Sequence, residues 1–347
     1  MKQLATLSSE RQSRYYRLDR RVLRTMVLLI LLTIGATVIS VGYGEYPISP
    51  LAVISTILGL PTDNPDHAFI IWTLRLPRSL VAWGVGVGLG LAGTLIQSLT
   101  RNSLASPDII GINAGAALAA VTAIVLFPSL PAIFLPPAAF GGAMLVAILI
   151  YGLAWKGGIS PLRLILVGVG LSLIAGAIVD AVLTFGNIRE VSQALVWLAG
   201  STYGRSWEHL YALIPWLVLF GGASLFSSRD LNVIHLGDEI ARGLGIQLER
   251  QRGLLLLSGI ALAGASVATA GSIGFVGLMA PHLGRKLVGV SHEGLLPIAA
   301  LIGGFLVVVS DLLGRSLFAP IELPCGIITA IIGAPYFLYL LIRARWP

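Results

Sequence analysis

The stretch RDLNVIHLGDEIARGLGIQLERQR, residues 229–252, is the longest charged segment inside a chain that is otherwise strongly apolar. It holds four Arg, two Asp and two Glu. Apolar residues recur in it at largely helical spacing, and Gly237, Gly243 and Gly245 interrupt that pattern, which predicts short amphipathic helices. This polar segment, lying between two halves of an apolar chain, is either a plain loop or a docking surface for a soluble partner.

The composition is typical of a protein embedded in lipid. Of the 347 residues, 56% are hydrophobic and only 11% are charged, against about 25% charged in a soluble protein. Because the apolar excess extends over the whole length, we predict an all-α polytopic membrane protein. The 41 Gly agree with close helix packing in lipid. The single Cys excludes an internal disulfide and any metal site built on cysteines.

Ten apolar segments are predicted to span the membrane, at about 20 residues each. They are residues 22–41, 78–99, 109–127, 132–155, 162–185, 209–226, 253–269, 273–290, 295–317 and 324–342. Residues 1–21 are too charged and too long for a cleaved signal peptide, so we predict a cytoplasmic tail, followed by one transmembrane domain over residues 22–347. The run at residues 51–58 is too short to cross and predicts a surface helix. Residues 271–285 hold four Gly and a Pro, which predicts a broken segment.

The distribution of positive charge predicts the orientation. Of the 23 Lys and Arg, five fall on segments predicted outside, namely Arg75, Arg78, Arg189, Arg205 and Arg315. All the others fall on the opposite side, so the positive-inside rule places both termini and the polar segment in the cytoplasm.

Recognisable catalytic motifs are missing from the sequence. It contains no HExxH pair, no GxSxG elbow and no Walker A loop. We therefore predict a non-catalytic protein that has no cofactor or metal of its own and no recognisable way of binding ATP.

Several charged residues lie in or beside the apolar segments, and their position there needs an explanation. Arg75, Arg78 and Arg315 run against the charge bias, and they either snorkel to lipid headgroups or anchor carboxylates of a soluble partner. Asp311 lies about one helical turn before Arg315 and is predicted to pair with it. Asp180 falls in the middle of the fifth span, where a carboxylate is costly. It lines a pathway, serves a proton-linked role or makes a polar packing contact, and we favour the packing contact.

Four motifs spread along the chain resemble the FecCD-type permeases of ABC importers, which take up iron-siderophores, haem and vitamin B12. The motifs are RLPRSLVAWGVGVGLGLAGTLIQSLTRNSLASPDIIGINAGAALAA (75–120), LGDEIARGLGI (236–246), GSIGFVGLMAPHLGRKLVG (271–289) and ELPCGIITAIIGAPYFLYLLIR (322–343). The resemblance implies a type II ABC importer architecture, with ten helices per permease subunit and a path between two such subunits. It also implies two ATPase subunits docked on the polar segment, and a periplasmic or lipid-anchored substrate-binding protein outside.

Matched residue by residue, the resemblance assigns expected roles. Arg75, Arg78 and Arg315 are expected to pair with acidic residues of the binding protein. Asn102 and Leu104 are expected in the inner gate, and Asp180 on a helix that lines the path. The residues expected to face the ATPase are Gly237, Asp238, Glu239, Ala241 and Gly245.

The resemblance therefore implies the membrane-spanning subunit of an ATP-driven importer of the cytoplasmic (inner) membrane, moving ferric siderophores by alternating access. Cobalamin or haem is the alternative cargo, and an ion-coupled secondary transporter working through Asp180 is the alternative mechanism. The second permease subunit is a copy of this chain or a related chain. Three positions depart from the family pattern: Ser103 stands for a Pro, Cys325 for an aliphatic residue and Asp180 for a neutral one.

Overall fold

A computed structural model describes residues 19–61, 64–108, 111–155 and 161–343. The helices in these ranges are numbered α1 to α14 in chain order. They are α1 Arg20–Gly42, α2 Pro50–Ile57, α3 Asp66–Thr100, α4 Ile112–Leu126, α5 Leu135–Ala154, α6 Pro161–Phe185, α7 Ile188–Leu198, α8 Trp207–Phe226, α9 Ser228–Leu236, α10 Asp238–Gly243, α11 Leu248–Ala270, α12 Val276–Val288, α13 His292–Ser316 and α14 Cys325–Arg343.

Each of the ten predicted spans contains a helix, and the described residues form no strand, which confirms the all-α prediction. Eight helices are long and apolar enough to cross a membrane, namely α1, α3, α5, α6, α8, α11, α13 and α14. The third and eighth predicted spans, α4 and α12, have only 15 and 13 residues. At 1.5 Å per residue they are about 22 and 20 Å long, shorter than the roughly 30 Å hydrocarbon core. Non-helical residues directly precede both helices, so each of these two predicted spans is helical over only part of its length.

The centre of the bundle is α3, which packs against α11, α12 and α13. Glycine makes this packing possible. A Cβ atom at Gly86 would overlap the carbonyl oxygen of Gly303 in α13, and one at Gly93 would overlap the carbonyl oxygen of Gly277 in α12. The backbones of α3, α12 and α13 are therefore in direct contact, in agreement with the close packing that the glycine content predicts.

An outer layer surrounds this centre and leaves its apolar side chains exposed. In the most apolar 18-residue stretch of α1, α5, α6, α8 and α14, no more than 28% of the residues are buried within the chain. In α3, α11 and α13 the buried share of that stretch is 67% or more. Exposed apolar surface on this scale requires a covering of lipid or another protein.

The predicted short helices are also present, whereas α7 was not predicted from the sequence. The short surface helix is α2, which begins with Pro50 after the N-cap Ser49. The polar segment contains α9 and α10, which are separated at Gly237, where φ is 128°. We call the end of the bundle that carries the polar segment the inner end and the opposite end the outer end, following the predicted orientation.

The N-terminal tail is a prediction that lies, up to residue 18, outside the described residues. The first helix begins at Arg20, and its N-cap is Asp19, whose carboxylate accepts a hydrogen bond from the Arg21 N–H at 3.1 Å.

Candidate functional site

The loop that follows α3, residues 101–108, has a defined shape, and we call it the gate loop. Arg101 ends α3 in the left-handed conformation, with φ at 50°. The side-chain oxygen of Asn102 accepts a hydrogen bond from the N–H of Leu104 at 2.9 Å, which closes a tight turn. Asn102 is exposed and Leu104 half-buried. The two residues predicted for the inner gate therefore form one local structure, in which Asn102 sets the position of Leu104.

An ion cluster joins the gate loop to the polar segment. The carboxylate of Asp238, at the start of α10, accepts hydrogen bonds from Arg101 of the gate loop and from Arg252 of α11, the latter at 2.8 Å. Arg101 also donates to the carbonyl oxygen of Ile234 in α9 at 2.9 Å. One carboxylate thus connects the gate loop, the polar segment and a central helix.

Burial and charge act against each other at Asp238. Burial favours the neutral carboxyl, but the hydrogen bonds and positive charges of Arg252 and Arg101 outweigh it and lower the pKa of Asp238 below its ordinary value. The side chain of Arg252 is only 4% exposed, whereas those of Arg101 and Asp238 are 35% and 38% exposed. The Arg252 contact is therefore the less screened half of the cluster.

A second polar network fixes the polar segment to the ends of two central helices. The side-chain oxygen of Asn232 in α9 accepts from the backbone N–H of His292 at 2.9 Å and lies 2.7 Å from Nδ1 of that ring. Nε2 of His292 lies 2.6 Å from the hydroxyl of Ser98 in α3. Asn232 also donates to Glu293 at 2.7 Å. The polar segment is thus an ordered part of the inner end.

The five residues predicted to face an ATPase are placed differently in the structure. Glu239 is exposed on α10, whereas Ala241 is fully buried and the Asp238 carboxylate belongs to the ion cluster. Gly237 and Gly245 have φ of 128° and 84°, so they supply the turns on either side of α10.

Apolar side chains complete the exposed face of the polar segment. Leu236, Ile240 and Leu244 are 62%, 49% and 65% exposed, and they recur every four residues. Ile240 and Leu244 belong to the apolar pattern that predicted the short helices, whereas Leu236 was not part of that prediction.

At the outer end, the predicted docking arginines are bound within the chain. Arg78 is buried and donates to Asp311 at 2.8 and 3.1 Å and to Glu322 at 2.9 Å. Nε of Arg315 lies 3.3 Å from the second oxygen of Asp311, which confirms the predicted pairing. Arg315 also donates to the backbone of Ser40 at 3.1 Å.

Arg75 is held differently, since it donates to the carbonyl oxygens of Val41 at 2.9 Å and Tyr46 at 2.7 Å. The three arginines therefore join α1, α3 and α13 at the outer end. Of the three, Arg75 is half-buried and the other two are buried.

Asp180 lies on α6 with an exposed side chain. In the described part of the chain, its carboxylate makes no hydrogen bond or ion pair, and only its backbone carbonyl accepts, from Thr184 at 2.7 Å. The polar packing contact within the chain, which the sequence favoured, is therefore not found among these residues. The carboxylate faces away from the rest of the subunit because α6 belongs to the outer layer.

A cavity of about 530 Å³ lies between the end of α7, the break before α12 and the start of α14, with Ser272, Phe275 and Ile327 among its walls. The break is non-helical as predicted, and Phe275 has φ at 66°. Asn113 donates to Ser272 at 3.4 Å and also to Asp108, so the gate loop reaches this break. Among the described residues, no group of three His, Cys, Asp or Glu is placed to hold a metal ion.

Comparison with known proteins identifies the chain. A sequence profile of the FecCD transport family matches residues 29–343. The chain belongs to this family. It is 44% identical to the Fe(3+)-citrate import system permease protein YfmE of Bacillus subtilis, over 94% of this chain and 96% of that one. It is 40% identical to the iron(3+)-hydroxamate import system permease protein FhuG of the same organism, over 92% and 97%.

Two further similarities extend the comparison. The chain is 41% identical to the cobalamin import system permease protein BtuC of Halobacterium salinarum, over 84% of this chain and 79% of that one. A solved structure of a metal-chelate type ABC transporter in an inward-facing conformation matches with a TM-score of 0.82 and 33% identity, covering 92% of this chain and 99% of that one. This chain is thus a multi-pass permease of the ABC-importer type, as the four motifs predict.

Proposed function

We propose that this FecCD-family chain moves ferric chelates, of the siderophore or citrate type, across the cytoplasmic membrane by alternating access. The relatives named for Fe(3+)-citrate and iron(3+)-hydroxamate support an iron chelate as cargo. Cobalamin or haem stays the alternative cargo, since a cobalamin permease is also similar. The subunit itself is proposed to be non-catalytic, with ATP hydrolysed on separate subunits, and both termini lie in the cytoplasm.

The observation that carries the proposal is the exposed face of the polar segment. Leu236, Ile240 and Leu244 are exposed among the charged residues of the polar segment at the inner end. An apolar stripe with a charged rim suits a protein partner. We propose that an ATPase subunit docks on this face and contacts Glu239.

Movement of the docked ATPase would reach the gate through the ion cluster. A displacement of α10 carries Asp238, which holds Arg101 of the gate loop and Arg252 of α11. The ATPase dimer can shift the equilibrium between outward-open and inward-open states only by binding them with different affinity. The cluster supplies a physical connection through which that difference acts on Asn102 and Leu104.

At the outer end, the proposed partner is a substrate-binding protein that docks on the surface organised by Arg75, Arg78 and Arg315. Because Arg78 and Arg315 are already paired with Asp311, an incoming carboxylate competes with an existing partner there. Within the described residues Arg75 donates to backbone carbonyl oxygens and pairs with no carboxylate, and it is half-buried, so it is the best placed of the three to take a carboxylate.

The test is co-purification of the tagged permease with its ATPase subunit, followed by an ATPase assay. Ile240→Asp places a charge in the middle of the proposed face and is expected to reduce ATPase recovery at least tenfold. The matched control is Leu60→Asp, which changes an exposed leucine far from the polar segment and is expected to leave recovery unchanged. Equal recovery with both variants would contradict docking at this face.

An ion-coupled secondary transporter is the second candidate, because Asp180 is an exposed carboxylate on a spanning helix. The two mechanisms are separated by Asp180→Asn in proteoliposomes. The importer is expected to retain ATP-driven uptake in this variant. Uptake that needs a proton or sodium gradient, proceeds without ATPase and stops in Asp180→Asn would establish the other mechanism.

A further inference from the structure

A second cavity, of about 220 Å³, opens at the outer end. Its polar wall is formed by Gln193, Ser201, Tyr203 and Arg205, and Val196 and Trp197 belong to its apolar wall. The loop that carries the polar wall also touches the outer ion pairs, since the ring of Tyr203 lies 5.5 Å from the Arg78 guanidinium. The cavity is therefore on the side where cargo arrives in the proposed function.

Arg205 is the charged group of this cavity, and its charge is not balanced within the described chain. It forms no ion pair with any carboxylate there, in contrast to Arg78 and Arg315. One guanidinium nitrogen lies 3.1 Å from Nε2 of His209, and Nε has no hydrogen-bond partner. An imidazole carries no negative charge in either protonation state, so it cannot neutralise Arg205.

Leaving such a cation in place is costly. Burial lowers the pKa of Arg205 below its ordinary value, which reflects the loss of water around the charge. A half-buried charge is stabilised when it is paired, and an anion bound beside Arg205 would offset its cost. Arg205 itself lines the open cavity, which leaves room for that anion.

The chemistry of the walls defines the ligand. A guanidinium presents a planar fork of N–H donors that matches the two oxygens of a carboxylate. The Gln193 amide and the hydroxyls of Ser201 and Tyr203 add neutral donors at the rim. A concave site with an apolar wall and a few polar groups suits a small molecule better than a side chain on a flat protein surface.

We propose that this outer cavity binds a carboxylate of a small anionic ligand, with Arg205 as its counter-ion. Resting on the function proposed above, the ligand in transport is a carboxylate-bearing ferric chelate of the citrate type. A chelate whose donors are neutral would gain nothing from this contact. Arg205 would thus favour carboxylate chelates over neutral ones.

The test is equilibrium binding of radiolabelled citrate, with and without Fe³⁺, to the purified full-length permease at neutral pH. Arg205→Gln is expected to weaken binding about tenfold or more, since it removes a charge-assisted pair. Arg205→Lys keeps the charge but loses the fork and is expected to fall between the two. Arg189→Gln, which removes an exposed outer arginine on α7, is the matched control and should bind like the unmodified chain.

Each result of the citrate-binding experiment either supports or overturns the proposed carboxylate site. Absence of citrate binding to the unmodified permease, or equal binding by Arg205→Gln, would overturn the cavity as a carboxylate site. If Arg205→Gln instead weakens capture of the binding protein and leaves citrate binding intact, the anion belongs to that protein and the inference is wrong. If Arg205→Gln does not fold, Arg205→Lys decides, and unchanged affinity overturns the proposal. ATP-driven uptake measured in parallel tests the proposed function separately, because citrate binding needs no ATPase.

Discussion

Replacing Asp238 with alanine should uncouple ATP hydrolysis from transport. The substitution removes the one carboxylate that accepts from both Arg101 and Arg252. Arg252 is buried, although Asp238 is 38% exposed, and a hydrogen bond to a charged group contributes about 1.5–3 kcal/mol. The Arg101 and Asp238 side chains are both more than a third exposed, so their bond contributes at most about 1 kcal/mol. We therefore expect the cluster that joins the gate loop, the polar segment and α11 to lose about 2–4 kcal/mol.

That loss corresponds to a change of roughly 10- to 1,000-fold in the preference for the connected arrangement, because each 1.4 kcal/mol is a factor of ten. The assay measures iron-chelate uptake and ATP hydrolysis together, in proteoliposomes that contain permease, ATPase and binding protein. For Asp238→Ala we expect hydrolysis to continue and uptake per ATP to fall at least tenfold. Asp238→Glu keeps the carboxylate and should restore part of the ratio.

Glu239→Ala is the matched control for this prediction. It removes the same charge from the neighbouring position, but its side chain is exposed and lies outside the ion cluster. We expect it to leave uptake per ATP unchanged, whatever its effect on ATPase recovery. The reasoning is refuted if Asp238→Ala retains the normal ratio, or if it only releases the ATPase as a docking variant would.

Three further outcomes are expected. Gly93→Ala places a methyl group on a backbone carbonyl of α12, so it should destabilise the permease by about 1–3 kcal/mol and lower its melting temperature in detergent. The control is Gly35→Ala, whose Cβ would meet no atom within 4 Å and which should leave the melting temperature unchanged. Asp311→Asn breaks the buried ion pair with Arg78 and should cost about 3–5 kcal/mol, again read as a lower melting temperature. Because the pKa of Asp238 is lowered, its contribution to stability is present above the ordinary carboxyl pKa of about 3.9 and is lost as the pH falls through the lowered value. Uptake per ATP should therefore not titrate through Asp238 between about pH 5 and 8, and a loss centred in that range that Asp238→Asn abolishes would contradict this.

The hydropathy pattern predicted where the apolar helices lie but not the length of two of them. The third and eighth spans were expected to be as long as the others, yet α4 and α12 are short. Ile273 and Phe275 are apolar and sit in a non-helical break, so a hydropathy pattern counts them as span. What decides their conformation is the contact of neighbouring Gly271 and Gly277 with other helices, which no single segment encodes.

The site was predictable where the interaction is local. Arg315 and Asp311 are four residues apart on one helix, and helical spacing alone predicted their contact. Arg78 reaches the same carboxylate across 233 positions of sequence, and Arg101 reaches Asp238 across 137. Pairs so distant in sequence depend on how the helices pack. The sequence therefore showed which residues are charged but not which of them form pairs.

The two ion clusters are related through one helix. Each has a single aspartate shared by two arginines, Asp311 at the outer end and Asp238 at the inner end. Arg78 lies in the outer half of α3, and Arg101 directly follows the inner end of this helix. Between them α3 is packed on its neighbours through backbone contacts at glycines, which leave little room for bending or sliding. A displacement of Asp238 would therefore be transmitted along α3 to the outer end, where the proposed docking surface lies. This geometry favours rocking of α3, α12 and α13 as one body over separate movement of the gate loop.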